Sequence, residues 1–221
     1  MHVGAHVAAP PASTAPSLSE ARAFAHAVNL RIGDVHGFKV TTEHEEHETG
    51  AEKRLERDML RCVGPTASAK HGLVEENSSQ FGRESPSGTA GVQSEVSVEP
   101  SSALATKALA AIRAPQTRSC LAHYLELLFK GRNFTGGTLS PISIIQATPP
   151  AAGANGSFAW RLTATITAHH IAIPLYLDVL GFIDGPAEVS LMTLGVPKPF
   201  PAATEEHLFS LLLERAKARH I

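Results

Sequence analysis

The sequence predicts an α+β fold, an antiparallel sheet of about six to seven strands with helices packed on it. Three observations carry this expectation. The chain order reads helix, strand, helix, two strands, two helices, four strands, helix. Its strands are joined mainly by hairpin-type turns rather than long crossovers. In one run, Phe158, Trp160, Leu162, Ala164 and Ile166 alternate with Ala159, Arg161, Thr163, Thr165 and Thr167, which marks a strand with one buried and one solvated face.

Each element follows from local pattern. Residues 1–17, MHVGAHVAAPPASTAPS, carry neither a basic n-region nor an apolar h-region, so an intact signal peptide is not expected there. The Ala/Pro/Ser/Thr bias predicts a disordered tether, followed by a single domain over 18–221. Many exported proteins carry such a tether after a cleaved signal, so the expectation is that the numbered chain lacks its export signal or starts at an artificial Met1. SEARAFAHAVNL (19–30) reads as a helix with Ser19 as N-cap. GFKVTT (37–42) reads as a strand with Phe38, Val40 and Thr42 on one face.

From Thr49 to Val63 the spacing becomes helical. Leu55, Met59, Cys62 and Val63 form the apolar side, and Gly64-Pro65 ends the helix. Residues 65–77 are expected to be loop. SSQFGRES (78–85) and VQSEVSVEP (92–100) are two strands around the breaker-rich PSGTAG. Val96 and Val98 are expected to face in, and Glu95, Ser97 and Glu99 out. Ser101-Ser102 opens the helix ALATKALAAI, which Ala114-Pro115 breaks. Thr117 to Phe129 is a further amphipathic helix, with Cys120, Leu121, Tyr124, Leu125, Leu128 and Phe129 as its stripe.

The last third is mostly sheet. LSPISIIQAT (139–148) is one strand, and the alternating run follows. His169-His170 turns the chain into IAIPLYLDVLGFI, where Pro174 predicts a sheet edge or bulge. Asp184-Gly185 is a hairpin signal, and 187–196 is the return strand. Thr204 to Arg219 closes the chain as a helix, with Glu205 and Glu206 in its first turn, where the helix dipole favours negative charge.

The totals bound function. With 221 residues, 43% hydrophobic and 18% charged, the chain can build a packed core. Lys+Arg number 19 against 21 Asp+Glu, for a net charge of −2. There is no global basic excess, so no nucleic-acid partner is expected. No stretch has the length of a membrane-spanning helix.

TTEHEEHETG (41–50) is the most chemical-looking stretch. Imidazoles and carboxylates both ligate zinc-like ions. His44 and His47 are three residues apart, not four as in HExxH, so they share a face only in a helical turn, and Glu43 or Glu48 would have to complete the set. A solvated polar connector is the favoured reading, a weak adventitious metal site the alternative. His169 and His170 are accounted for by a turn. Asp178, alone in an apolar strand, is expected to pair across strands with Arg161. There is no GxSxG elbow, P-loop or GxGxxG fingerprint, so no catalytic residue and no cofactor is assigned. Cys62 and Cys120 fit one disulfide or two buried thiols, and neither sits in a CxxC pair.

Taken in order, AFAHAVNLRIGDVHGF, the cysteine of the first long helix, the paired strands ending in SEVSVEPSS, and ALAAIRAPQTRSCLAHYLELL form a recognisable series. FAWRLTATIT, IPLYLDVLGF and ERAKAR complete it. Over residues 19–219 this series resembles exported actinobacterial proteins with a PsbP-like fold, of the LpqN lipoprotein type. It is more distantly similar to the extracellular sensor domain of the kinase PknH. The resemblance implies an α/β/α sandwich and a secreted or surface-anchored protein that binds partners or ligands. It also implies a disulfide from Cys62 to Cys120, bridging the first long helix to the third. No lipobox cysteine stands near the start of the chain, a departure that bears on anchoring.

The expected function is therefore an exported, non-enzymatic, sensor-like binding domain, tethered near the membrane by its N-terminal segment. Its ligand would be a small amphiphile held between sheet and helices, or a protein docked on the sheet. The alternatives are a metal-dependent enzyme or metal carrier using the His44/His47 region, and a cytosolic interaction protein with two free cysteines.

Overall fold

A computed structural model describes residues 15–41, 49–64, 72–131 and 137–221. Among the described residues it is an α+β fold built on one nine-stranded antiparallel sheet. The strands are β1 (Lys39–Val40), β2 (Val74–Asn77), β3 (Phe81–Ser85), β4 (Gly88–Val98), β5 (Gly137–Leu139), β6 (Ser143–Ala147), β7 (Gly156–Ala168), β8 (Ile171–Asp184) and β9 (Ala187–Val196). The helices are α1 (Leu18–Val28), α2 (Glu52–Val63), α3 (Ser102–Arg113), α4 (Pro115–Gly131) and α5 (Ala202–Arg219), with a short 3-10 turn at Ile32–Asp34. The sheet runs β1-β3-β4-β9-β8-β7-β5, with β2 also on β4 and β6 also on β7.

Hairpin chemistry sets the central register. β7 turns into β8 through His169 and His170, both at positive φ (51° and 65°), the backbone of a type I′ turn. β8 turns into β9 through Gly185-Pro186, with Asp184 opposite Ala187. Gly185, at φ +58°, supplies the positive φ that the first position of a type II′ turn requires, and Pro186 takes the second.

Helices cover both faces of the sheet. On one face α1 and α5 bury Phe24, Val28, Leu208, Phe209 and Leu212 against Phe81, Val92, Val96, Phe182, Val189 and Leu191. Each large apolar side chain so buried contributes about 1.5–3 kcal/mol relative to exposure. On the other face Ala105 and Leu109 of α3 meet Phe158 and Ile183. α4 leans on β5, β6 and α3, and α2 leans chiefly on α4. Cys62 of α2 is bonded to Cys120 of α4, with Cα atoms 5.8 Å apart. Beside the bond, Gln116 Nε2 donates to the Cys62 carbonyl at 2.5 Å.

A buried polar knot joins α1 to the sheet. Ser94 Oγ donates to Asn29 Oδ1 at 2.8 Å and accepts from the Leu30 N–H at 2.9 Å. Asn29 Nδ2 donates to the Glu76 carbonyl at 2.9 Å. Arg215 of α5 grips Asp34 through two hydrogen bonds of 2.7 and 2.8 Å.

Several expectations are corrected. The sheet has nine described strands rather than six or seven, for two reasons. Val74–Asn77, expected as loop, is a strand because β4 supplies its partner groups. LSPISIIQAT is two strands, not one. Leu139 pairs with Ile166 and Ser143 with Thr163, so the edge side holds one residue more than β7 between those pairs, and the chain bulges at Ser140–Ile142. The N-cap of α1 is Ser17, not Ser19: its hydroxyl accepts from the Glu20 N–H, and Glu20 accepts in return from the Ser17 N–H at 2.8 Å. Ser17, read as the end of the tether, thus belongs to the helix. Phe38 is buried but Val40 is 52% exposed, because β1 is a two-residue edge strand. PSGTAG contributes only Pro86-Ser87 to its turn, since Ser85 already pairs with Gly88.

Candidate functional site

α1 and α5 cover only part of their face, and the uncovered part holds a groove. One transverse row of the sheet runs Val40, Phe81, Val92, Thr193, Asp178, Arg161, Ile145, each residue in register with the next. Phe81 and Val92 are almost fully buried. At Thr193 the row turns polar, and at Ile145, 62% exposed, it reaches solvent. The neighbouring row, Leu191, Leu180, Ala159, Ala147, is apolar throughout. Together with the first turn of α5 these rows bound a groove of about 320 Å³ lined by Ile145, Ala147, Ala159, Arg161, Leu180 and Glu205 among others. That size suits a small ligand.

The expected Arg161–Asp178 pair forms. The two residues face each other across β7 and β8. Arg161 Nε donates to Asp178 Oδ1 at 2.7 Å and Nη2 to Oδ2 at 2.8 Å. This forked geometry is the strong form of a charged hydrogen bond. The Asp178 side chain is 6% exposed and that of Arg161 53%. The acid is therefore held in the floor while the guanidinium rises to the mouth.

Glu205 completes the site, and sequence reasoning missed its role. Its place in the first turn of α5 suggests a helix-dipole residue, but it is 8% exposed, and Thr193 Oγ1 donates to its Oε2 at 2.7 Å. Burial pushes its carboxyl above the ordinary range, against the Thr193 hydroxyl. The Asp178 charge adds to the rise, and a protonated Glu205 can donate to Asp178. The signal was available: Thr193 is a hydroxyl in the inward series Ala187, Val189, Leu191, and a buried hydroxyl needs a partner.

The remaining sequence candidates stand apart from the groove. His44, His47, Glu43 and Glu48 lie outside the described residues, as do residues 1–14 of the tether. Among the described residues no group of three His, Cys, Asp or Glu is arranged to hold a metal ion. No described helix is long and apolar enough to cross a membrane. A second hollow of about 370 Å³, lined by Pro16, Glu20, Phe24, Arg219 and Ile221 among others, lies where the two described ends of the chain meet.

A further acidic ledge lies on the opposite face. Glu188 is in register with Ser97, and Ser97 with Glu75. Burial, joined by the charges of Glu95 and Glu99, pushes the Glu188 carboxyl up to about 7. Glu95 is raised by burial and by Glu75.

No known protein-family model matches the chain, and no curated protein matches it.

Proposed function

We propose that this protein is an extracytoplasmic, non-enzymatic binding domain whose ligand is a small amphiphile held in the open groove of the sheet. The groove carries this reading: an apolar floor of Ala147, Ala159 and Leu180 beside the polar trio Arg161, Asp178 and Glu205. Apolar walls with a few convergent polar groups are the general signature of small-molecule sites. The Cys62–Cys120 disulfide supports an oxidising compartment, and the resemblance to exported LpqN-type proteins points the same way. A tether through the N-terminal segment belongs to the same proposal.

The test is a binding screen. Eight- to sixteen-carbon amphiphiles with cationic, anionic and neutral head groups are titrated below their micelle concentrations, and backbone amide shifts are followed by NMR. The expected result is saturable movement confined to Ile145, Ala147, Ala159, Arg161 and Leu180. Shifts that never saturate, or that scatter over the surface, would refute the reading.

A further inference from the structure

We infer that the groove selects amphiphiles with a cationic amine head, bound by Glu205 and Asp178, with the apolar tail along Ile145, Ala147, Ala159 and Leu180. This rests on the proposed binding function and adds the head-group chemistry.

The charge balance of the trio carries the inference. Two carboxylates and one guanidinium meet in the groove. Arg161 is committed to Asp178 by both arms of its fork, so little of its charge is left for an incoming anion. Arg161 acts on Glu205 through its charge, but among the described residues no cation forms an ion pair with Glu205 as Arg161 does with Asp178. Among the described residues the side-chain donor to Glu205 is the neutral Thr193 hydroxyl, which occupies Oε2. Both carboxylates are more than nine-tenths buried, so when both are ionised their mutual repulsion is poorly screened, and without a ligand it is relieved by the proton that Glu205 can share with Asp178. An ammonium placed between them relieves that repulsion and supplies up to three donors to unfilled oxygen lone pairs. An anionic head would add a third negative charge to the same pocket. A neutral polyol head would supply donors but leave the repulsion in place.

The geometry also orients the ligand. The carboxylates stand at the α5 end of the row, and Ile145 stands at the solvent edge. The head therefore lies inward beneath the first turn of α5, and the tail runs outward across β7 and β6.

Trp160 stands between the groove residues Ala159 and Arg161, but its ring lies against Phe158 on the other face of the sheet, so occupancy is followed by the backbone amide shifts of Ala159, Arg161 and Leu180 instead. The intact protein is titrated at pH 8 with octylammonium, octanoate and octyl glucoside, all below their micelle concentrations. Octylammonium is expected to saturate at concentrations at least tenfold lower than either competitor. Glu205→Gln, which keeps shape and removes charge, is expected to abolish that tenfold preference, with folding checked by circular dichroism. Should that variant not fold, Ile145→Ser at the exposed mouth serves instead, and is expected to weaken octylammonium severalfold. Equal or tighter binding of octanoate or octyl glucoside would overturn the amine inference while leaving the binding function standing. An unchanged preference in Glu205→Gln would likewise overturn it. Failure of all three probes to saturate would overturn both.

Discussion

Arg161 and Asp178 clasp across β7 and β8 with opposite exposures: the acid is buried and the guanidinium half in water. Removing either partner therefore has different costs. Arg161→Ala leaves a desolvated carboxylate beside Glu205 and is expected to cost about 1–3 kcal/mol, below the fully buried range because the guanidinium is partly exposed. Asp178→Ala frees a guanidinium that water can solvate, relieves Glu205, and is expected to cost less than Arg161→Ala. Urea unfolding of the two variants measures the order, and equal costs would refute it.

Stability is expected to fall as pH rises from about 4.5 to 7. Glu188, raised to about 7, holds its proton more tightly in the folded than in the unfolded chain. Its stabilising contribution is complete below the unfolded value of 4.5 and is lost as pH rises through the folded value. Glu95 and Glu205 are shifted in the same direction. Asp34 acts oppositely. Burial raises its carboxyl, but the Arg215 hydrogen bonds, the Arg31 N–H and the charges of both arginines outweigh burial and lower it. Its contribution is present above 3.8 and lost as pH falls through the folded value. Thermal denaturation across pH 3–9 is expected to peak near pH 4.5, between the two limbs. Glu188→Gln is expected to raise stability at pH 8 by on the order of 2 kcal/mol and to flatten the alkaline limb.

The disulfide is expected to act locally as well as globally. It closes a separation of 58 residues, worth on the order of 4 kcal/mol of unfolded-chain entropy. Because α2 leans chiefly on α4, reduction should release α2 first. Hydrogen exchange with and without reductant should show protection lost over 52–63 and retained over β7 to β9. Thiol titration of the unreduced, denatured protein should find no reactive cysteine. Two reactive thiols would refute both the bond and the proposed extracytoplasmic location.

Gly181 is expected to tolerate no side chain. A Cβ at that position would stand 2.3 Å from the Phe158 ring, which lies directly opposite on β7. Gly181→Ala should cost about 1–3 kcal/mol through overpacking. Phe158→Leu should recover part of that loss in the double variant, and a double-mutant cycle measures the coupling. Additive costs would count against it.

The parts of this fold legible in the sequence were those whose pattern is local. β7 shows its alternation over ten residues, Ser101 caps α3 as its position suggests, and Ala114-Pro115 separates α3 from α4. β2 was illegible because VEEN is polar and short, and only its partner makes it a strand. The Arg161–Asp178 pair was legible because a lone acid in an apolar strand demands a cation. Glu205 was not, because the contact that buries it comes from the tertiary placement of α5 over Thr193. The groove itself arises from how far α1 and α5 extend across the sheet, which no single segment encodes.

Pro174 has a consequence beyond marking an edge. Thr165, its opposite number on β7, turns both backbone polar groups toward Ser140, whose N–H donates to the Thr165 carbonyl and whose hydroxyl accepts from the Thr165 N–H, each at 2.9 Å. The Pro174 nitrogen therefore faces the β9 side. Continuing the β8–β9 register past Tyr176–Gly195 would set Pro174 against Pro197. Neither residue has an N–H to give, so the zipper between these strands stops there. The overhanging hairpin is thereby denied a donor where a strand from another molecule would try to continue the ladder. The same pair of rings that limits this sheet from within also guards it against growing into a polymer.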